Sequence, residues 1–214
     1  MMFGLSTSCE RPNKAELTKD NTKFKNLAAS YTATSAHMVA NEKYIIDKKE
    51  SVVTWKCSMA FASKGGHTGY IYISNGELLI EKGQLVGGTI DVDMNTIADE
   101  RNDSKNDLVD HLKSPDFFDV KKFPFSTFAI TRVASTDSES IKVSGLLTIK
   151  GITLEIAFPA KIEVKDGIVT AKGKVTIDRT KWDVRYNSGK FYDNLADEAI
   201  SDNIEFDVKI VARK

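Results

Sequence analysis

Three groups of residues have the types from which catalytic or metal chemistry is built. Asp91, Asp93 and Asn95 in "DVDMN" are spaced like the opening of an EF-hand loop. That loop needs Gly at its sixth place and Glu at its twelfth, and this chain has Thr96 and Asn102 there. Alternation puts the three polar groups on one outer strand face. His37, His67 and His111 lie far apart, with no short zinc-ligand spacing. No Ser occupies a G-x-S-x-G elbow. "GIVTAKGKV" fails the phosphate-loop spacing and reads as a strand. The carboxylates are scattered. No catalytic residue, metal ligand or cofactor follows from these patterns.

The apolar residues carry more information. In "DHLKSPDFFDVKKFPFSTFAIT" (110–131), Phe117, Phe118, Phe123, Phe125 and Phe128 stand among Asp110, His111, Lys113, Lys121 and Lys122. Such crowding is either core or the wall of a pocket for an apolar molecule. Trp55, Met59, Phe61, Tyr70 and Tyr72 come from early segments, and Trp182, Tyr186, Phe191 and Tyr192 from late ones.

These residues need strands to hold them. In "SVVTWKCSMAF", Val53, Trp55, Cys57, Met59 and Phe61 share one face. Val86, Ile90, Val92 and Met94 oppose Thr89, Asp91, Asp93 and Asn95. Ile141, Val143, Leu147 and Ile149 alternate, as do Ile152, Leu154, Ile156 and Phe158, and then Ile204, Phe206, Val208 and Ile210. Phe128 and Ile130 share a face opposite Phe125. Asn75-Gly76 and Asp166-Gly167 are hairpin signals. Leu108 and Leu112 have helical spacing, and Ser114-Pro115 marks the start of a second short helix. No βαβ rhythm appears. The expected fold is all-β: an antiparallel, lipocalin-like up-and-down barrel of about eight strands with one or two short helices. Such a barrel either fills itself or holds one small ligand.

The chain has 214 residues, 41% hydrophobic and 28% charged. Thirty basic side chains balance thirty acidic ones, which disfavours nucleic acid as a partner. Residues 1–42 read as a signal remnant or tether, with a helix possible in composition through Ala15 to Ala29, and residues 43–214 as the barrel domain. Cys57 reads as a small buried hydrophobe. Cys9 ends the short run "MMFGLSTSC". It is either a lipid attachment site, with Leu5 one place too far from it, or an incidental cysteine. The run is too short to span a membrane.

Four blocks, in order, resemble one family: "HTGYIYISNGELLIEKGQLVGGTIDVDMNTI", "DHLKSPDFFDVKKFPFSTFAIT", "VSGLLTIKGIT" and "IDRTKWDVRYNSGKFYDNLADEAISDNIEFDVKI". From about Tyr44 to Ala212 the chain is similar to the YceI-like family of bacterial polyisoprenoid-binding proteins. The resemblance implies a lipocalin-like barrel with a helix near one end and a tunnel for an isoprenoid, quinone-like or other lipid chain. It also implies homodimers and a periplasmic or outer-surface location, with at most a lipid anchor to the membrane. No catalytic residue transfers. Phe117 and Phe118 match the family's "DFF", Phe123 its aromatic-proline step, and Arg179 and Trp182 its late block. The ligand contacts that follow are Trp55, Met59, Phe61, Tyr70, Tyr72, Met94, Phe117, Phe118, Phe123, Phe128 and Trp182. His111, Lys113 and Arg185 are head-group candidates. Sequestration or transport of a lipid is the leading expectation. An enzyme acting on a lipid or quinone in the barrel, and a filled-core interaction module, are the alternatives.

Overall fold

The computed structural model describes residues 41–59, 65–101, 107–136, 140–195 and 198–214. Cys9, His37, Phe61, the helix expected through Ala15 to Ala29 and nearly all of the expected tether lie outside them. The strands are β1 (Glu42–Ile46), β2 (Val52–Met59), β3 (Gly66–Glu81), β4 (Gln84–Asp99), β5 (Phe125–Ser135), β6 (Ser140–Ile149), β7 (Ile152–Lys165), β8 (Ile168–Asp178) and β9 (Ile200–Arg213). Helix α1 (Asp107–Lys113) precedes β5, and a 3-10 helix (Arg179–Trp182) follows β8.

Three hairpins are set by residue pairs with positive φ, the geometry of a type I′ turn. They are Lys82-Gly83 (51° and 79°), Lys150-Gly151 (51° and 76°) and Asp166-Gly167 (51° and 75°). Asn75-Gly76, expected to turn, lies inside β3 instead. Gly76 is needed there for space. A Cβ on it would come within 2.6 Å of the Thr89 carbonyl and of Ile46 Cδ1.

Every sequential pair from β2 to β9 is antiparallel, and β2 pairs with β9, so the sheet closes into a barrel. β1 pairs with β3 at Glu42↔Ile80 and with β9 at Ile45↔Arg213, beyond the reach of β2 on the same two strands. β1 and β2 therefore fill one wall position, and nine strands make eight places. The expected barrel is correct. Two seams are short: β4 and β5 pair over residues 88–93 and 125–130, and β7 and β8 only over residues 160–165 and 168–173.

Two apolar clusters fill the barrel along its axis. Near the β7–β8 hairpin are Tyr44, Ile46, Leu78, Ile80, Val169 and Ile210. Near α1 are Trp55, Ile71, Met94, Ile97, Ile149, Ile177, Trp182 and Ile204. After α1 the chain forms hydrogen-bonded turns, not the expected second helix. Phe117 and Asp119 N–H both donate to the Ser114 carbonyl, and Asp119 then takes φ 47°, which breaks the right-handed path.

Candidate functional site

The barrel interior holds a central chamber of about 120 Å³. Its walls are Val53, Ile71, Ile90, Val92, Met94, Phe118, Phe128, Leu147, Ile149, Ile156, Phe158, Val175, Phe206 and Val208, with Ser126 as the one hydroxyl. Ser126 Oγ is 3.1 Å from Met94 Sδ, so even this hydroxyl is turned to the wall. Val92, Leu147, Ile156, Phe158, Val175 and Phe206 point inward yet are only half-buried, because they face the void.

Two smaller chambers, each about 40 Å³, flank it. The upper one, under α1, shares Ile71, Phe118 and Phe206 with the central chamber. The lower one shares Ile90, Phe128, Phe158 and Val208. Aromatic rings thus form the constrictions of one axial, apolar path. Phe128 and Phe158 meet at 5.5 Å between centroids. Gly145 admits the Phe128 ring, which lies 2.6 Å from where a Cβ would sit.

Besides Ser126 in the central chamber and Lys172 beside the lower one, polar groups border the path at its upper end. Trp55 is buried there, and its Nε1–H has no acceptor among the described residues. Burial pushes the Cys57 thiol up, with Arg179 acting against it, so the thiol stays protonated at neutral pH. Arg179 is 1% exposed, and burial lowers its pKa. Its guanidinium is spent on backbone carbonyls: Val184 at 2.7 Å, Ser201 at 3.0 Å and Ile200 at 3.2 Å. It ties the 3-10 helix to the start of β9 and roofs the chamber.

The expected site residues separate into groups. Trp55, Met94, Phe117, Phe118 and Phe128 line the chambers. Tyr70 and Tyr72 do not, because Ile71 and Ile73 are the inward residues of β3 and Tyr72 is 48% exposed on the outer wall. Phe123 packs against the β6–β7 turn, 2.9 Å from a Cβ added at Gly151. Trp182 is buried beside the chambers and donates to the Leu147 carbonyl at 3.2 Å. Val86, expected inward, is the extra residue of a bulge between Leu79↔Gly87 and Ile80↔Leu85, and is exposed.

The head-group candidates stand outside the path. His111 is packed edge-on against Phe117 and Tyr186 and lies 3.4 Å from Asp116. Arg185 pairs with Asp183 and covers Phe191. Lys113 belongs to the last turn of α1. His67 is 3.2 Å from Asp99. Neither described histidine borders a chamber, and each faces a different carboxylate.

Among residues that sequence reasoning did not single out, Ile71, Leu147, Ile156, Val175 and Phe206 are the main walls. The period-two alternation marks several of them as inward, but nothing in it separates a residue facing a void from one facing another side chain.

A closed antiparallel barrel around a largely apolar axial path is a lipocalin-like architecture. The family described as "YceI-like domain" matches residues 44–212, and the chain belongs to that family. A UPF0312 protein of Pseudomonas putida (strain W619) is 32% identical over 145 residues, covering 64% of this chain and 70% of that protein. BcnA of Burkholderia cenocepacia superposes with a TM-score of 0.64 at 19% identity, over 78% of this chain and 99% of BcnA. A polyisoprenoid binding domain from Saccharophagus degradans, implicated in plant cell wall breakdown, has a TM-score of 0.58 at 11% identity, over 79% and 97%. These two likenesses show the shared fold.

Proposed function

We propose that this protein binds a long isoprenoid-like or other amphiphilic chain in its barrel, to sequester or carry it outside the cytoplasm. The observation that carries the reading is the apolar central chamber, whose lining continues into the chambers above and below it. The likeness in fold to a polyisoprenoid binding domain supports it. Each methylene buried contributes about 0.8 kcal/mol, against an association cost of about 4 to 15 kcal/mol. A chain of roughly fifteen carbons or more is therefore the class that binds well. An apolar cavity of about 150 Å³ holds one benzene. A long chain must accordingly turn the Phe118, Phe128, Phe158 and Phe206 rings aside as it enters. The extracytoplasmic placement, with a lipid anchor on Cys9, is supported by the short apolar run before that cysteine. The mass of the N-terminal peptide from the native host tests it.

Native mass spectrometry of gently purified protein, followed by titration with isoprenoids and fatty acids, tests the binding. A co-purified or titrated lipid at one per barrel is the expected result. Protein that carries no lipid and takes up none sinks the reading. It would favour a second one, a filled barrel serving as a surface module, which the small size of the separate chambers supports. An enzyme built on His67 or His111 has no support, since neither borders the path.

A further inference from the structure

We propose that the unpaired seam between β7 and β8 is a lateral portal through which the bound chain passes, and that lysines outside it hold an anionic head group. This rests on the lipid-binding reading above. The β7–β8 ladder runs from Lys165↔Ile168 to Ala160↔Gly173 and stops. Beyond that point β7 stays paired with β6 as far as Ile152, and β8 stays paired with β9 as far as Asp178. The two strands therefore keep their outer neighbours and part from each other. Pro159, which has no N–H to give a ladder, is the first β7 residue past the last pair. The opening is closed above by Trp182, bonded to the Leu147 carbonyl, and by Lys150, whose ammonium donates to the Asp183 carbonyl at 3.1 Å. It is a window bounded on four sides.

Interior and exterior meet in this window. Ile156 borders both the central chamber and an outer hollow of about 270 Å³ that also touches Leu154, Ile177 and Trp182. Ala160, Gly173 and Val208 border both the lower chamber and a second outer hollow of about 570 Å³. Gly173 leaves that junction without a side chain, and a Cβ there would lie 2.9 Å from the Phe158 ring. The outer hollows are larger than the chambers, so a long chain has its room on both sides of the wall.

The larger hollow is lined by Lys161, Lys172, Lys174 and Lys209, with Asp207 as its one acid. Asp207 is occupied by Lys56 at 2.8 Å and Lys174 at 3.3 Å. Lys172 and Lys209 are exposed cross-strand partners, and neither has an ion-pair partner among the described residues. Like charges directly opposite on adjacent strands are destabilising. A carboxylate or phosphate between them removes that repulsion while its chain enters at Gly173.

The test uses the full chain with Ala157→Cys and Thr176→Cys, outward residues that would face each other if the ladder continued. A short thiol-reactive bridge closes the window. The probes are the fluorescent fatty acid cis-parinaric acid and the corresponding alcohol. Bridging should slow loading and release of the acid by about tenfold or more at unchanged affinity, with reduction restoring the rate. Each variant with only one of the two substitutions, treated alike, should load at the wild-type rate. Lys172→Glu combined with Lys209→Glu should weaken the acid by about tenfold and leave the alcohol within about twofold. Loading unchanged after bridging, or equal weakening of acid and alcohol, overturns the inference. A wild-type chain that takes up neither probe fails before any bridge is made, and removes the lipid-binding reading with it.

Discussion

Ser51 and Val211 bond to each other twice. Ser51 Oγ accepts the Val211 N–H at 2.9 Å and donates to the Val211 carbonyl at 3.1 Å. Ser51 is 1% exposed. Here β1 has ended and β2 has not begun, so β9 faces a gap in the wall. One hydroxyl does the work of a strand residue. The Asp47 N–H, at 2.8 Å, is the other donor to that carbonyl.

Ser51→Ala therefore strands a buried N–H but not the carbonyl. The expected loss is about 2 kcal/mol, the cost of one unsatisfied buried donor. Urea unfolding followed by tryptophan fluorescence measures it, and an unchanged midpoint would show that water replaces the hydroxyl.

Arg179 holds three carbonyls from a buried position. Arg179→Lys keeps the charge but lacks the planar fork that reaches all three. We expect a loss of about 3 kcal/mol or more, since hydrogen bonds to charged groups contribute about 1.5–3 kcal/mol each. Hydrogen exchange should show the loss first at the Val184 and Ile200 amides. Uniform loosening of the whole barrel would contradict this placement of the residue.

Much of the barrel is legible in sequence because most of its strands are apolar on one face. Val53, Trp55 and Cys57, and likewise Ile204, Phe206 and Val208, fall inward as alternation predicts. β3 defeats the method because both faces are apolar: Tyr70 and Tyr72 outside, Ile71 and Ile73 inside. Asn75-Gly76 has the composition of a turn, but Gly76 is there to let Ile46 and β4 approach. Val86 escapes because a bulge shifts the phase by one residue. The β7–β8 seam is hard to read for a different reason. Pairing belongs to two strands jointly, and apart from Pro159, which cannot donate to a ladder, nothing in "ITLEIAFP" or "KVTID" records that they part.

Acid should loosen the roof of the barrel through Asp178. Its carboxylate accepts from Thr180 N at 3.0 Å, Thr180 Oγ1 at 2.6 Å and Lys190 Nζ at 2.7 Å. Burial raises its pKa, but the Lys190 and Thr180 bonds outweigh that and hold it below the ordinary value. A lowered folded pKa contributes stability above the unfolded value, about 3.9, and loses it as pH falls through the folded one. Wild type should therefore lose more stability than Asp178→Asn between about pH 5 and pH 2. Parallel curves would remove Asp178 from the account.

Filling the central chamber separates binding from folding. Val175 is half-buried and faces the void. Val175→Phe places a ring in empty space, so stability should change by less than about 1 kcal/mol. Lipid affinity should fall by about tenfold or more, as the same space no longer accepts a chain. Tyr72→Ala removes a larger aromatic from the outer wall and should leave affinity unchanged. Titration of both variants with one fatty acid decides the matter. If Tyr72→Ala weakens binding and Val175→Phe does not, the chain lies against the outer wall and the axial chamber is only a packing defect.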